Sequence, residues 1–166
     1  MWRIFSCALI LALAALGLPA AQPAQGAAKA VYTVINTLDV GAGSLRYAIN
    51  QANASAGADV IQFNIDPLTD PGCNATTGVC TIKPVSPLPL LADNAGVTID
   101  GYTQPGSVYA TASVPAGLKV RLDGSEMPVN ISSIGLGIRS SNNTVRGLAI
   151  NSFPSYGLLI GQLTGT

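Results

Sequence analysis

The 166-residue chain contains no histidine. That removes Ser-His-Asp and Cys-His catalysis, imidazole metal sites and histidine pH switches. Charge is also scarce. Charged residues make up 10% of the chain, and eight Lys+Arg balance eight Asp+Glu. An average soluble domain carries about 25%. No nucleic-acid partner is expected, because phosphate binding needs a basic surplus and the chain has none. Glu126 is the sole glutamate, which leaves few acids for general acid–base chemistry. The length allows one domain, or a domain plus a short leader.

What the chain does have begins at its start. Arg3 is followed by fifteen uncharged residues, Ile4 to Leu18, and then by Pro19 and a run of small residues. As a helix this stretch spans about 22 Å, short of the roughly 30 Å hydrocarbon core. A positive start, a short apolar run and a small-residue cleavage zone predict a signal peptide over residues 1–26. A buried core helix is the competing reading, but the run is apolar all round rather than on one face. Ala24-Gln25-Gly26 and Ala28-Lys29-Ala30 are both candidate cleavage sites. Cys7 lies too early in the apolar run to be a lipid-modified cysteine. The mature chain then carries seven basic against eight acidic residues and is expected to be exported, extracellular or at the cell surface.

Export changes the meaning of the two remaining cysteines. Cys73 and Cys80 enclose a Gly-containing loop, and an oxidising compartment favours a disulfide between them. Closing such a loop is worth roughly 2.5 kcal/mol in the chain-entropy model. Two thiols without histidine half-fill a zinc shell, and the spacing is not Cys-x-x-Cys, so metal and redox roles are weaker readings. No cofactor is expected.

The local pattern is mostly β. Residues 31–37 are β-branched and aromatic, and residues 60–65 alternate, with Ile61, Phe63 and Ile65 on one face. Between them, Ser44 can cap a helix ending near Asn53, on which Leu45, Ala48, Ile49 and Ala52 form one apolar stripe. Residues 66–91 are rich in proline and read as a loop with the disulfide, a short strand near Thr81-Ile82-Lys83 and an extended connector. From residue 92 the texture repeats. Val97-Thr-Ile-Asp-Gly101 returns as Val120-Arg-Leu-Asp-Gly124, and Gly135-Leu-Gly-Ile138 as Gly157-Leu-Leu-Ile160. A further strand is expected over Val145 to Ile150. Recurrence every 20 to 25 residues, built of short strands and polar turns, predicts a solenoid rather than a β-sandwich.

These residues also resemble a known group. Gly43-Ser-Leu-Arg-Tyr-Ala-Ile-Asn50, with Ala52-Asn53, is similar to the SLREAI-type segment opening many exported bacterial right-handed β-helix proteins, the CSLREA-domain group. Asp59 to Ile65, Thr98 to Gly106 and Asn143 to Ile150 look like further segments of the same proteins. The likeness covers residues 31–160. Gly43 and Tyr47 stand where the motif has Cys and Glu. The resemblance implies a cap motif at Ser44, Leu45, Arg46, Ala48 and Ile49, and a secreted or surface module. It implies a location and a shape rather than a reaction.

The expected fold is therefore all-β, a right-handed parallel β-helix with a short N-terminal helical cap. Residues 27–91 would form the cap and disulfide loop, and residues 92–166 an incomplete set of rungs. Val97 should lie under Val120, and Ile99 under Leu122. The helix should cover the open edge of the first rung, with Arg46 and Asn50 facing water. The far end, without a visible cap, would either continue in a longer protein or support self-association.

Candidate chemistry is sparse. Asp100 and Asp123 occupy like positions in the repeat and could bind Ca²⁺ or serve as an acid–base pair, as in a polysaccharide lyase or hydrolase, with Lys119 and Arg121 nearby to supply positive charge. Both precede glycine, and an Asp-Gly turn accounts for them without chemistry. Tyr102, Tyr109 and Tyr156 could line a sugar-binding face, although scattered packing is the simpler reading. Asn142 and Asn143 suit either a stacked ladder or a polar loop. The glycosylation sequons at Asn53, Asn74, Asn130 and Asn142 read as chance, and Gly41-Ala-Gly43 lacks the rest of a phosphate loop. The preferred function is structural, adhesive or glycan-recognising, without intrinsic catalysis. A carbohydrate-active enzyme using stacked aspartates is the alternative. Neither metal nor membrane span is expected in the mature chain.

Overall fold

The computed structural model describes residues 28–130 and 132–161, so the expected leader lies outside the described residues. The chain folds into short strands with a single α-helix among the described residues. The strands are β1 (Val31–Val34), β2 (Asp59–Phe63), β3 (Cys80–Ile82), β4 (Val97–Asp100), β5 (Val120–Asp123), β6 (Ile134–Ile138), β7 (Thr144–Arg146), β8 (Leu148–Asn151) and β9 (Tyr156–Ile160). The helix is α1 (Leu45–Ala54). The strands form three sheets, ordered β1-β2-β4-β7, β3-β5-β8 and β6-β9, and each pairing is parallel. From β4 onward the chain visits the sheets in rotation: β4, β5 and β6, then β7, β8 and β9. No described helix is long and apolar enough to cross a membrane.

Parallel register stacks like on like inside. Ile61, Ile99 and Val145 form one column, and Ile82, Leu122 and Ile150 another. Ile61, Ile99, Ile82 and Leu122 are all but inaccessible to solvent. Burying each such side chain stabilises the fold by about 1.5–3 kcal/mol before the cost of ordering it. Strands on either side of residues 91–92 share sheets, so the expected boundary there runs through the β structure rather than beside it.

One expected register is wrong. Val97 does not lie beside Val120, nor Ile99 beside Leu122. β4 pairs with β2 and β7 in the first sheet, while β5 pairs with β3 and β8 in the second. The repeated Val-x-[Ile/Leu]-Asp-Gly segment marks a strand followed by a corner, used once in each of two sheets. Genuine neighbours are usually further apart in sequence: Val60 pairs with Thr98, and Cys80 with Val120. The other repeat does stack, because Ile138 pairs with Ile160.

The strand expected over Val145 to Ile150 is two strands. β7 ends the first sheet and β8 begins in the second, with Gly147 at φ +71° between them. A Cβ on Gly147 would sit 2.5 Å from the Tyr102 nitrogen, so the corner needs glycine twice over, for its conformation and for the close approach.

The start of the structure is closed by side chains acting as substitute strands. Ser44 caps α1 by accepting from the Tyr47 N–H at 3.2 Å, and Leu45, Ala48, Ile49 and Ala52 are buried. Asn53 donates to the Leu90 carbonyl at 2.8 Å and accepts the Ala92 N–H at 3.0 Å. Arg46 was expected to face water and does not. Its guanidinium donates to the carbonyls of Ser86 and Pro87 and to the Asp39 carboxylate and carbonyl, and its side chain is 15% exposed. Asn50 is exposed as expected. The second sheet is closed by the Cys73–Cys80 disulfide hairpin, where the Thr81 N–H donates to the Gly72 carbonyl at 2.9 Å. Such pairing satisfies backbone groups that would otherwise form a bare edge.

Candidate functional site

The outer face of the first sheet carries a row of polar residues set by the register. Thr33, Gln62, Asp100 and Arg146 lie side by side on β1, β2, β4 and β7. Gln62 donates to the Thr33 hydroxyl at 2.9 Å, and Arg146 donates to Asp100 Oδ2 at 2.6 Å. Asp100 is nearly buried, while half of the Arg146 side chain remains in solvent. The Asp100 hydrogen bond, its negative charge and the nearby Tyr109 hold the Arg146 pKa above its ordinary value, so Arg146 stays charged at any working pH.

The corner after β4 adds aromatics to this row. Asp100 Oδ1 accepts the Tyr102 N–H at 3.1 Å and starts the 3-10 turn Gly101–Thr103. Thr103 then accepts the Phe63 N–H, and the buried Gln104 side chain pairs with both the N–H and the carbonyl of Ile65. This extends the pairing of β2 beyond its strand and fixes the loop. Tyr102 and Tyr109 stack with ring centroids 4.0 Å apart and planes 25° apart. Tyr109 is exposed. A stacked tyrosine platform beside a half-exposed guanidinium can hold the apolar face of a sugar ring and its hydroxyls together.

Asp123 is elsewhere. It lies on the second sheet and ties off its own corner by accepting the Ser125 N–H at 2.9 Å. Burial pushes the Asp123 carboxyl up. Hydrogen bonds from the Ser125 N–H and the Ser125 and Ser152 hydroxyls, with the Lys83 charge, outweigh burial and leave its pKa below the ordinary 3.8. Asp100 and Asp123 thus do not stack, and each carboxylate holds an N–H two residues on, as an Asp-Gly turn requires. Tyr156 lies on β9 in the third sheet, apart from the other two tyrosines in the topology. Asn142 and Asn143 make no ladder. Asn142 donates to the Asn94 carbonyl, while Asn143 accepts the Val97 N–H and folds the Ser140–Ser141 turn.

A second feature lies on the outer face of the second sheet. Thr81 and Arg121 are register partners there and line a shallow cleft of about 540 Å³ with the disulfide hairpin. Among the described residues, no group of His, Cys, Asp or Glu is arranged to hold a metal ion. Arg146 escaped sequence reasoning because its partner is 46 residues away, and only the register of β4 on β7 brings the two together. No family model, curated protein or solved structure matches the chain.

Proposed function

We propose that this chain is an exported, right-handed parallel β-helix that recognises glycans on its outer face, of the CSLREA type that its sequence resembles. The rotation of successive strands through three parallel sheets supports the β-helix. Right-handedness is the strong preference for parallel strands joined by crossovers. The Cys73–Cys80 bridge suits an oxidising compartment. The observation that carries the functional reading is the stacked Tyr102–Tyr109 pair beside the Asp100–Arg146 ion pair. It is an ordered aromatic and polar surface that leaves Tyr109 open to solvent.

The test is binding of the processed chain to a panel of neutral and acidic polysaccharides, with product analysis. Binding that weakens in Tyr109→Ala, without depolymerisation, is expected. Absence of binding across the panel overturns recognition. Depolymerisation lost in Asp100→Asn favours the enzymatic alternative instead.

Self-association at the last strands has its own support. Leu136 is inaccessible, yet its partner Leu158 is 42% exposed. Ile138 is 9% exposed, and its partner Ile160 is 74% exposed. Residues of core chemistry thus lie open at that end among the described residues. Light scattering on the wild type and on Leu158→Asp checks it: a concentration-dependent dimer lost in the variant is expected, and a monomer throughout refutes it.

A further inference from the structure

We infer that the cleft beside the disulfide hairpin is a carboxylate subsite for an acidic saccharide, with Arg121 as its anion-binding group. This deepens the glycan reading and rests on it. The cleft is bounded by Pro71, Gly72 and Cys73 on one side, Asn74, Thr77 and Val79 on the hairpin, and Thr81 and Arg121 on the sheet. Parallel register places Thr81 and Arg121 side by side, and the next strand contributes Ala149, too short to cover them. Arg121 is exposed, and its side chain makes no hydrogen bond or ion pair among the described residues. Every described aspartate near it in sequence is engaged: Asp123 accepts from Ser125, and Asp100 holds Arg146.

The ligand class follows from the donors. A planar guanidinium matches a carboxylate through two parallel hydrogen bonds. The other cation at the rim, Lys119, already donates to the Thr77 carbonyl at 2.6 Å. One free planar cation suits a monoanionic carboxylate better than a dianionic phosphate, which calls for more donors. The Thr81 hydroxyl has no described partner and faces the same cleft, while Pro71 and Val79 supply apolar wall. This mixture fits a sugar ring, apolar on its faces and hydroxylated at its edge. The Lys119 stem passes near both the hairpin and the loop that carries Tyr109, since a Cβ on Gly78 or Gly106 would meet it at 3.9 or 3.5 Å.

The experiment measures binding of the processed chain to an oligogalacturonate and to its methyl-esterified, uncharged form, by calorimetry. Arg121→Gln should weaken the acidic oligomer by about tenfold or more, the scale of a lost charge-assisted hydrogen bond. It should leave the esterified form and the melting temperature unchanged. Arg121→Lys should recover only part of the loss. Tyr109→Ala should weaken both ligands. Unchanged acidic binding in Arg121→Gln, with both ligands still sensitive to Tyr109→Ala, overturns the subsite and leaves glycan recognition standing. No binding of either ligand to the wild type overturns both. Inorganic phosphate competing as well as the free uronate overturns the carboxylate assignment.

Discussion

Replacing Arg46 with alanine separates a surface arginine from a structural clasp. A solvent-facing arginine on a helix changes stability by no more than about 0.5 kcal/mol when truncated. Arg46 instead makes hydrogen bonds to Asp39 and, 40 and 41 residues on, to the carbonyls of Ser86 and Pro87. Truncation leaves the Asp39 carboxylate, itself 15% exposed, without its cation. Breaking a buried pair by removing one partner costs about 3–5 kcal/mol, and residual solvent contact screens part of that. We expect a loss of about 3 kcal/mol, a fall in melting temperature on the order of 10 °C for a domain of this size. Urea unfolding with an unchanged slope is the assay, since a changed slope signals altered cooperativity. Arg46→Lys should fall between, because a lysine keeps the charge but not the fork that reaches Asp39 and two carbonyls together. A double-mutant cycle with Asp39→Asn should return a coupling above about 1 kcal/mol. A loss below about 1 kcal/mol in Arg46→Ala would refute the clasp and restore the water-facing expectation.

Three further outcomes follow from the same geometry. Gly147→Ala should destabilise by about 3 kcal/mol in a thermal melt, combining positive-φ strain with overpacking against Tyr102. Gly41→Ala, at φ +97° with open space around it, should lose only the strain component. Because the Asp123 carboxyl titrates below its ordinary value in the folded state, its stabilising contribution is complete above the unfolded pKa and disappears as pH falls through the folded one. Asp123→Asn should therefore be less stable than wild type at pH 7, with the gap closing on acidification below about pH 4 in a pH series of melts. Under the proposed export, removal of the expected leader should fall after Gly26 rather than after Ala30. The Ala30 N–H donates to Asp59 at 2.8 Å, and its carbonyl accepts the Val60 N–H at 2.9 Å, so losing Ala30 would strip β2 of both contacts. N-terminal sequencing that begins at Ala27 agrees with this, and a start at Val31 contradicts it.

What could be read from the chain alone was whatever local chemistry decides. The stripe Leu45, Ala48, Ile49, Ala52 and the Ser44 cap are contained in ten residues, and both are present in α1. The Cys73–Cys80 bridge closes over seven positions and needed no tertiary knowledge. The repeat from Gly135 to Gly157 stacks because the third sheet returns quickly. The misreading at Val97 and Val120 has a definite cause. β4 and β5 both stop at an Asp-Gly corner although they lie in different sheets, so the shared pentapeptide reports the corner and not the neighbour. Loops of unequal length between turns then hide the true spacing. The candidate site was half visible: Asp100, Tyr102 and Tyr109 could be named. Arg146 and the partnership of Thr81 with Arg121 could not, because strand register alone unites them.

The helix and the disulfide hairpin at the beginning have a consequence for assembly. Both occupy places where a neighbouring molecule would have to add its own strands, and they obstruct two of the three sheets there. The bare, greasy rim formed by β7, β8 and β9 has no such guard among the described residues. Were copies to join through that rim, as proposed above, the helix and the hairpin would hinder strand addition from the opposite side.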